Sequence, residues 1–389
     1  MASYIASNAN RFYAAIETTY GQAASVGAGN RFPAIRLQAE QVLQRSKRFD
    51  KTGTRTICGV PASALRYTAF EVRTDLTAWS GSGEPFVGPL VQAGLGAASQ
   101  LSTGLIVAAV QSTTQIQTTA PHGLSMGSAV SYLNEIRFVT AVPDAVTVAI
   151  NVPFSNTVAA NASLAPTVTY RLCTALPSLT VYDYWDPVTA VSRIVTGAAV
   201  DTFQVLVDGD YHELAFSGPA ADLIDSSSFT AGTAGLSGFP SEPGVAEFDY
   251  SIVPGHLGQV WLGPTAAQFF TLTEATIHIQ NNISIRNHEY GSSYPKAIAP
   301  GPRQVSCDFA LLAEDDAQTT ALYAAAKQRA PISAMLQLGG KQLGLMGIFL
   351  PRVTPEIPAY DDSEPRLQWQ FKNNLAQGTA DDEIYIAFA

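Results

Sequence analysis

Leu65–Leu76 reads LRYTAFEVRTDL, and Pro302–Ala313 reads PRQVSCDFALLA. In each, polar and apolar side chains alternate, and in a strand successive side chains point to opposite faces. Each stretch therefore predicts a strand with one packed face and one wet face. The elements around the two strands come in the same order. After the second, Glu314–Arg329 (EDDAQTTALYAAAKQR) predicts a helix. Acids open it, Lys327 and Arg329 close it, and that polarity complements the macrodipole. Ala317, Ala321, Leu322 and Ala325 line one side, and Pro331 ends it. TIHIQNNISI (Thr276–Ile285) precedes, and strands are expected at Ile332–Leu338, Leu343–Leu350, Arg366–Lys372 and Glu383–Phe388. In the first half, Pro33–Leu43 precedes the strand and Pro89–Ala98 is the short helix. Four strands then follow: LTVYDYW (Leu179–Trp185), VSRIVTG (Val191–Gly197), DTFQVLV (Asp201–Val207) and YHELAF (Tyr211–Phe216). Asp208-Gly209-Asp210 between the last two is a hairpin signal. The expectation is a mainly β chain built from two copies of one unit, related by element order more than by identity.

Between the halves of the first copy, Pro85–Asn134 contains no Asp, Glu, Lys or Arg. Short alternating runs follow at Thr113–Thr119, Glu135–Val142 and Val146–Ile150, which predict a small β module inserted over residues 102–171. Its His122, beside Gly123, reads as a turn residue. Residues 1–101 and 172–217 then form the first unit, and residues 268–389 the second. The Gly-, Pro- and Ser-rich stretch 218–267 reads as a linker, or as an arm lying on a neighbouring subunit.

The chain has 389 residues, 47% hydrophobic and only 14% charged, which excludes a disordered protein and implies surface covered by neighbours. A net charge of -10 argues against a dedicated nucleic-acid binder but suits a wall past which DNA slides without sticking. From Arg31 to Arg73 the balance reverses: nine basic residues face only Glu40, Asp50 and Glu71. This basic segment, with Arg45, Lys47, Arg48, Lys51 and Arg55 in its loop, is a candidate contact for the acidic face of a stacked copy; the plainer alternative is an exposed loop. Cys58, Cys173 and Cys307 form no CxxC pair and read as small buried hydrophobes. The five histidines have no zinc spacing, and nucleophile elbows, Walker loops and dinucleotide fingerprints are absent from the sequence. No enzyme, cofactor or metal is expected. The first residues lack the pattern of a signal peptide, and the aliphatic stretch Leu105–Val110 is too short to span a bilayer.

IETTYG (Ile16–Gly21), NRFPAIRL (Asn30–Leu37), FDKTGTRTICGVP (Phe49–Pro61) and FVGPLVQAGLG (Phe86–Gly96) resemble the amino-terminal part of major tail tube proteins of siphophage-type tailed bacteriophages. Ile277–Ser306, LGLMGIFLPRV (Leu343–Val353) and FKNNLAQGTADDEIYIAF (Phe371–Phe388) resemble their carboxy-terminal part. The resemblance implies two tail-tube-type β-sandwich or barrel-like domains, each with one short helix, and an Ig-like insert on the outside. It implies trimeric pseudo-hexameric or hexameric rings stacked around a tape-measure protein and closed by tail-terminator and distal tail proteins. DNA passes through the lumen without specific binding. Assembly would occur in the host cytoplasm, and the product would be the virion tail. Strands Leu65–Leu76 and Arg303–Leu311 are then the candidates for lining the channel, with Glu71 and Asp308 as lumen carboxylates. Another tail part of the same fold, a monomeric carbohydrate-binding β protein and an enzyme remain as alternatives in that order.

Overall fold

A computed structural model describes residues 4–44, 51–56, 59, 64–244 and 251–389. The chain is mainly β, with two α-helices among the described residues. Eight strands form one continuous antiparallel wall. In chain order they are β1 (Arg36–Gln44), β2 (Leu65–Asp75), β3 (Thr202–Val207), β4 (Glu213–Ala220), β5 (Leu272–Gln280), β6 (Gln304–Leu312), β7 (Ala359–Asp361) and β8 (Gln368–Phe371). In space they run β1-β2-β4-β3-β5-β6-β8-β7. The first four and the last four therefore repeat one order, and β3·β5 is the seam between them.

Behind the wall the repetition continues. In the first unit the outer strands pair in the order Arg31–Phe32, Asn10–Ile16, Leu179–Trp185, Arg193–Ala198, Asp222–Asp225. In the second they run Ala267–Phe269, Gly258–Gly263, Ile332–Leu338, Met346–Thr354, Tyr385–Phe388. Helix α1 (Gly88–Leu95) follows β2, and α2 (Ala317–Gln328) follows β6. Asp316 caps α2 by accepting from the Thr319 amide at 2.6 Å, which satisfies one of the four orphan amides of a helix start. Apolar side chains of the wall and of both outer sheets meet in one core that includes Phe70, Val72, Leu90, Phe203, Phe216, Ile277, Phe309, Leu322 and Phe371. Stacked pairs Phe203–Phe216 (4.5 Å) and Phe309–Phe371 (4.7 Å) bridge neighbouring wall strands in the two halves.

Six strands between Leu105 and Leu164 form a separate sheet with its own core around Val107, Ile116, Val139 and Val148. The flanking strands extend the outer sheet of the second unit: Thr167–Arg171 pairs with Tyr385–Phe388, and Gln100–Ser102 pairs with Thr167–Arg171. The insert thus leaves the first unit in sequence and docks on the second in space. Gly347 makes the docking close: a Cβ there would lie 2.9 Å from Ile136 and 3.0 Å from Phe138. Phe138 stacks on Phe349 at 5.5 Å. Beside them Arg137, fully buried, bonds Glu135 at 2.5 Å and lies 4.2 Å over the Trp261 ring. Burial pushes the Arg137 guanidinium down to about 10, so it stays charged at neutral pH. Glu135 also accepts from Ser155 and Gln259. Arg137→Ala leaves a buried carboxylate without its cation and is expected to cost about 3–5 kcal/mol in urea unfolding. Glu135→Gln with Arg137→Met removes both charges and should recover most of that loss; a loss below about 1 kcal/mol in the single variant would refute the clamp.

Where it is described, part of the stretch 218–267 read as a linker or arm packs on the outer sheet of the first unit. Phe229, Leu236 and Phe239 pack against the outer-sheet residues Tyr13, Tyr182 and Tyr184, and Glu242 binds Arg11 (2.5 Å) and Tyr13 (3.0 Å). The alternation of their strands turns those tyrosines away from the main core, and the nearest apolar stretch of the chain buries them.

Candidate functional site

Register fixes which side chains share the wet face of the wall. Gln38 opposes Glu71, Glu71 opposes Ser217, and Ser217 opposes Thr202. Across the seam Thr202 opposes Gln280, and Thr276 opposes Asp308. Side chains two apart along a strand share a face. The face therefore carries Glu40, Glu71, Asp75, Glu213, Glu274, Asp308 and Asp361, against only Arg36 and Arg73. Larger apolar groups, such as Val42, Tyr67, Leu206 and Leu312, sit toward its two ends. Arg73 is held by Glu71 at 2.6 Å and Glu213 at 3.3 Å, and the Glu71 bond raises its pKa. Asp308 accepts from the Asn374 amide at 3.3 Å. The two carboxylates expected at a channel wall thus lie on one face of one sheet, in its two halves.

The wall ends in two free edges, β1 and β7. β1 bonds only β2, and β7 bonds only β8, among the described residues. Unpaired strand edges are templates for another strand. Apolar groups are left uncovered beside both: Ile35 and Leu43 at β1, Ile357 and Tyr360 at β7. Tyr360 stacks on Trp369, which in turn packs on Tyr323 of α2, so an aromatic row runs out to the edge and stops.

The two ends of the wall differ in charge. At one end β1 finishes at Gln44, β2 begins at Leu65, and the connection 281–303 joins β5 to β6. Arg45, Lys47 and Arg48 fall outside the described residues; Lys51, Arg55 and Lys296 are exposed there. Arg303 at that end is neutralised by Asp381 (2.7 Å) and Glu383 (3.0 Å). At the other end lie the β3–β4 hairpin with Asp208 and Asp210, the turn after β6 with Glu314, Asp315 and Asp316, and the β7–β8 turn with Asp362 and Glu364. All but Asp316 are exposed. Alternation could not gather these acids, because they come from three turns far apart in sequence.

Elsewhere the chemistry is structural. His122 accepts from the Leu124 amide (2.9 Å) and reaches the Asp144 carbonyl (3.2 Å), as a turn residue does. Cys173 and Cys307 are free thiols; Cys307 is buried, Cys173, expected to be buried, is only half-buried, and Cys58 lies outside the described residues. Among the described residues no group of three or more His, Cys, Asp or Glu is placed to hold a metal ion. No protein-family model matches this chain, and no curated protein is detectably similar to it in sequence.

Proposed function

We propose that this chain is a structural subunit of a phage tail tube that joins edge to edge into closed rings and stacks head to tail. The observation that supports this reading is the seam. β3 of the first unit already pairs with β5 of the second, and the same unit order leaves β7 and β1 as the corresponding free edges. A second copy offering β1 to β7 repeats a contact the chain makes internally, and rotation by the same operation closes a ring. Three chains supply a barrel of about 24 strands at ~4.8 Å spacing, about 37 Å across at the backbone before tilt widens it. The wet acidic face would then line the lumen, where it repels phosphate and lets duplex DNA pass without binding. The resemblance to siphophage-type tube proteins points the same way and supplies the partners: a tape-measure protein inside, and terminator and distal tail proteins at the ends. The subunit works by assembly, with no catalytic step. Negative-stain microscopy and native mass measurement of the purified chain test this. Rings of three that stack into tubes are expected. Persistent monomers at high concentration would refute the reading, and rings that never stack would move it to a distal tail position.

A further inference from the structure

A cavity of about 250 Å³ opens at the acidic end of the wall, where the seam between the two units meets the β3–β4 hairpin. Val207, Phe269, Phe270, Leu272 and Gln259 line it, together with His212. His212 is almost wholly buried, yet neither ring nitrogen has a hydrogen-bond partner among the described residues. Burial pushes this imidazole down to about 4, so at neutral pH it is uncharged and offers one N–H and one lone pair. A buried polar group without a partner forfeits its hydration and calls for one. Asp208, Gln268, Thr273 and Gln337 also line it, so the cavity is apolar on one side and polar on the other and suits an aromatic ring that carries a polar group.

Such a group stands at the opposite end of the wall. β5 begins at Leu272, in the cavity wall, and runs to Gln280, from which the connection 281–303 projects at the basic end. On that connection Tyr290 is fully exposed, with no ring contact and no hydrogen bond to its hydroxyl among the described residues. We propose that Tyr290 of one copy inserts into the His212 cavity of the next copy along the stack, its hydroxyl bonding the imidazole. Stacking along the strand direction sets the connection 281–303 of one copy, which leaves β5 at the basic end and accepts from the Arg66 amide of β2 through the Ser293 carbonyl, against the acidic end of the next. The size agrees: a cavity of ~150 Å³ accepts benzene, so this one accepts a phenol. The charges agree as well. The connection carries Arg286 and Lys296 against Glu289, which Arg286 pairs, and Asp208 lines the cavity.

This contact rests on the stacked-ring reading, and the test separates the two. Tyr290 is solvent-exposed, so Tyr290→Ala leaves the fold intact, which circular dichroism checks. The variant is expected to form rings as the parent does but no tubes by sedimentation and microscopy. Tyr290→Phe keeps the ring and loses the hydroxyl, and should raise the concentration needed for tubes about tenfold. Tyr290→Cys with Phe270→Cys should give a ladder of oxidised oligomers that neither single variant gives. Tubes of parental length and yield from Tyr290→Ala, or no ladder from the double variant within intact tubes, would overturn the contact. Parent protein that forms rings and no tubes would instead overturn the stacking beneath it.

Discussion

Tyr360→Lys is expected to leave the chain folded and to abolish ring closure, so that the variant sediments as a monomer where the parent forms rings. Tyr360 is exposed at the free edge, and its loss disturbs little beyond the stack on Trp369 and the hydroxyl bond with Tyr323. Its counterpart in the first unit shows what the edge lacks. Val205 pairs with Leu214, which pairs with Thr74, and Tyr360 pairs with Trp369, which pairs with Leu311. Setting LRYTAFEVRTDL on PRQVSCDFALLA equates Thr74 with Leu311, and so Val205 with Tyr360. Val205 is buried because Ile277 of β5 lies across the seam from it. The same superposition equates Ile277 with Ala39. The intermolecular register then places Tyr360 opposite Ala39, and Asp361 opposite Gln38. A lysine at 360 would have to enter an apolar seam, and a charge on an edge strand is a common device against strand pairing. Register is checked independently by Gln38→Cys with Asp361→Cys. Directly opposed residues have Cβ atoms ~4.5–5.5 Å apart, close enough for oxidation to link them around the ring. A covalent species of three chains in denaturing gels is the expected product. Rings that form without it would reject the register, and rings formed by Tyr360→Lys would reject the edge itself.

How much of this was written plainly in the chain differs by element. β2 and β6 alternate cleanly because one face is packed and the other wet, and they were found almost to the residue. The helix after β6 was readable because its charges follow the macrodipole; its start moved to Ala317 because Asp316 acts as the cap. Asn10–Ile16 (NRFYAAI) escaped because four consecutive residues, Phe12–Ala15, are buried, so no period of two remains. β7, three residues long, is too short to carry any period. The seam β3·β5 was invisible for a different reason. Alternation says which face a residue occupies and nothing about which strand lies beside it. The acidic end and the His212 cavity are of the same kind: topology collects them, and local pattern does not. Neighbours in extended chain, such as His212 and Glu213, face opposite ways, but the hollow behind His212 depends on β5 and the Gly258–Gly263 strand, which are distant in sequence.

Converting the wet face from acidic to basic is expected to turn an inert wall into one that holds DNA. Glu71, Asp308 and Asp361 are the positions to change, to lysine, because each lies on that face and none is buried. Arg73 keeps Glu213 as a partner when Glu71 is replaced, so the fold should lose no more than ~1 kcal/mol, the range of exposed ion pairs. Each replacement changes the charge by two, which reverses the excess of seven carboxylates over two guanidinium groups on the face. In a ring the effect multiplies with the number of chains, and the narrow lumen concentrates it. Parent tubes should exclude short duplex DNA in co-sedimentation at any salt. Variant tubes should retain it at low salt, and retention should fall steeply as counterions compete, by roughly a thousandfold between ~50 and ~200 mM salt. That steepness is diagnostic, because it reports phosphates neutralised by lysines rather than trapped DNA. Variant tubes that exclude DNA as the parent does would mean this face points outward. The channel would then have to be lined by the opposite side of the sheet, which the buried core of Phe70, Val72, Ile277 and Phe309 already occupies.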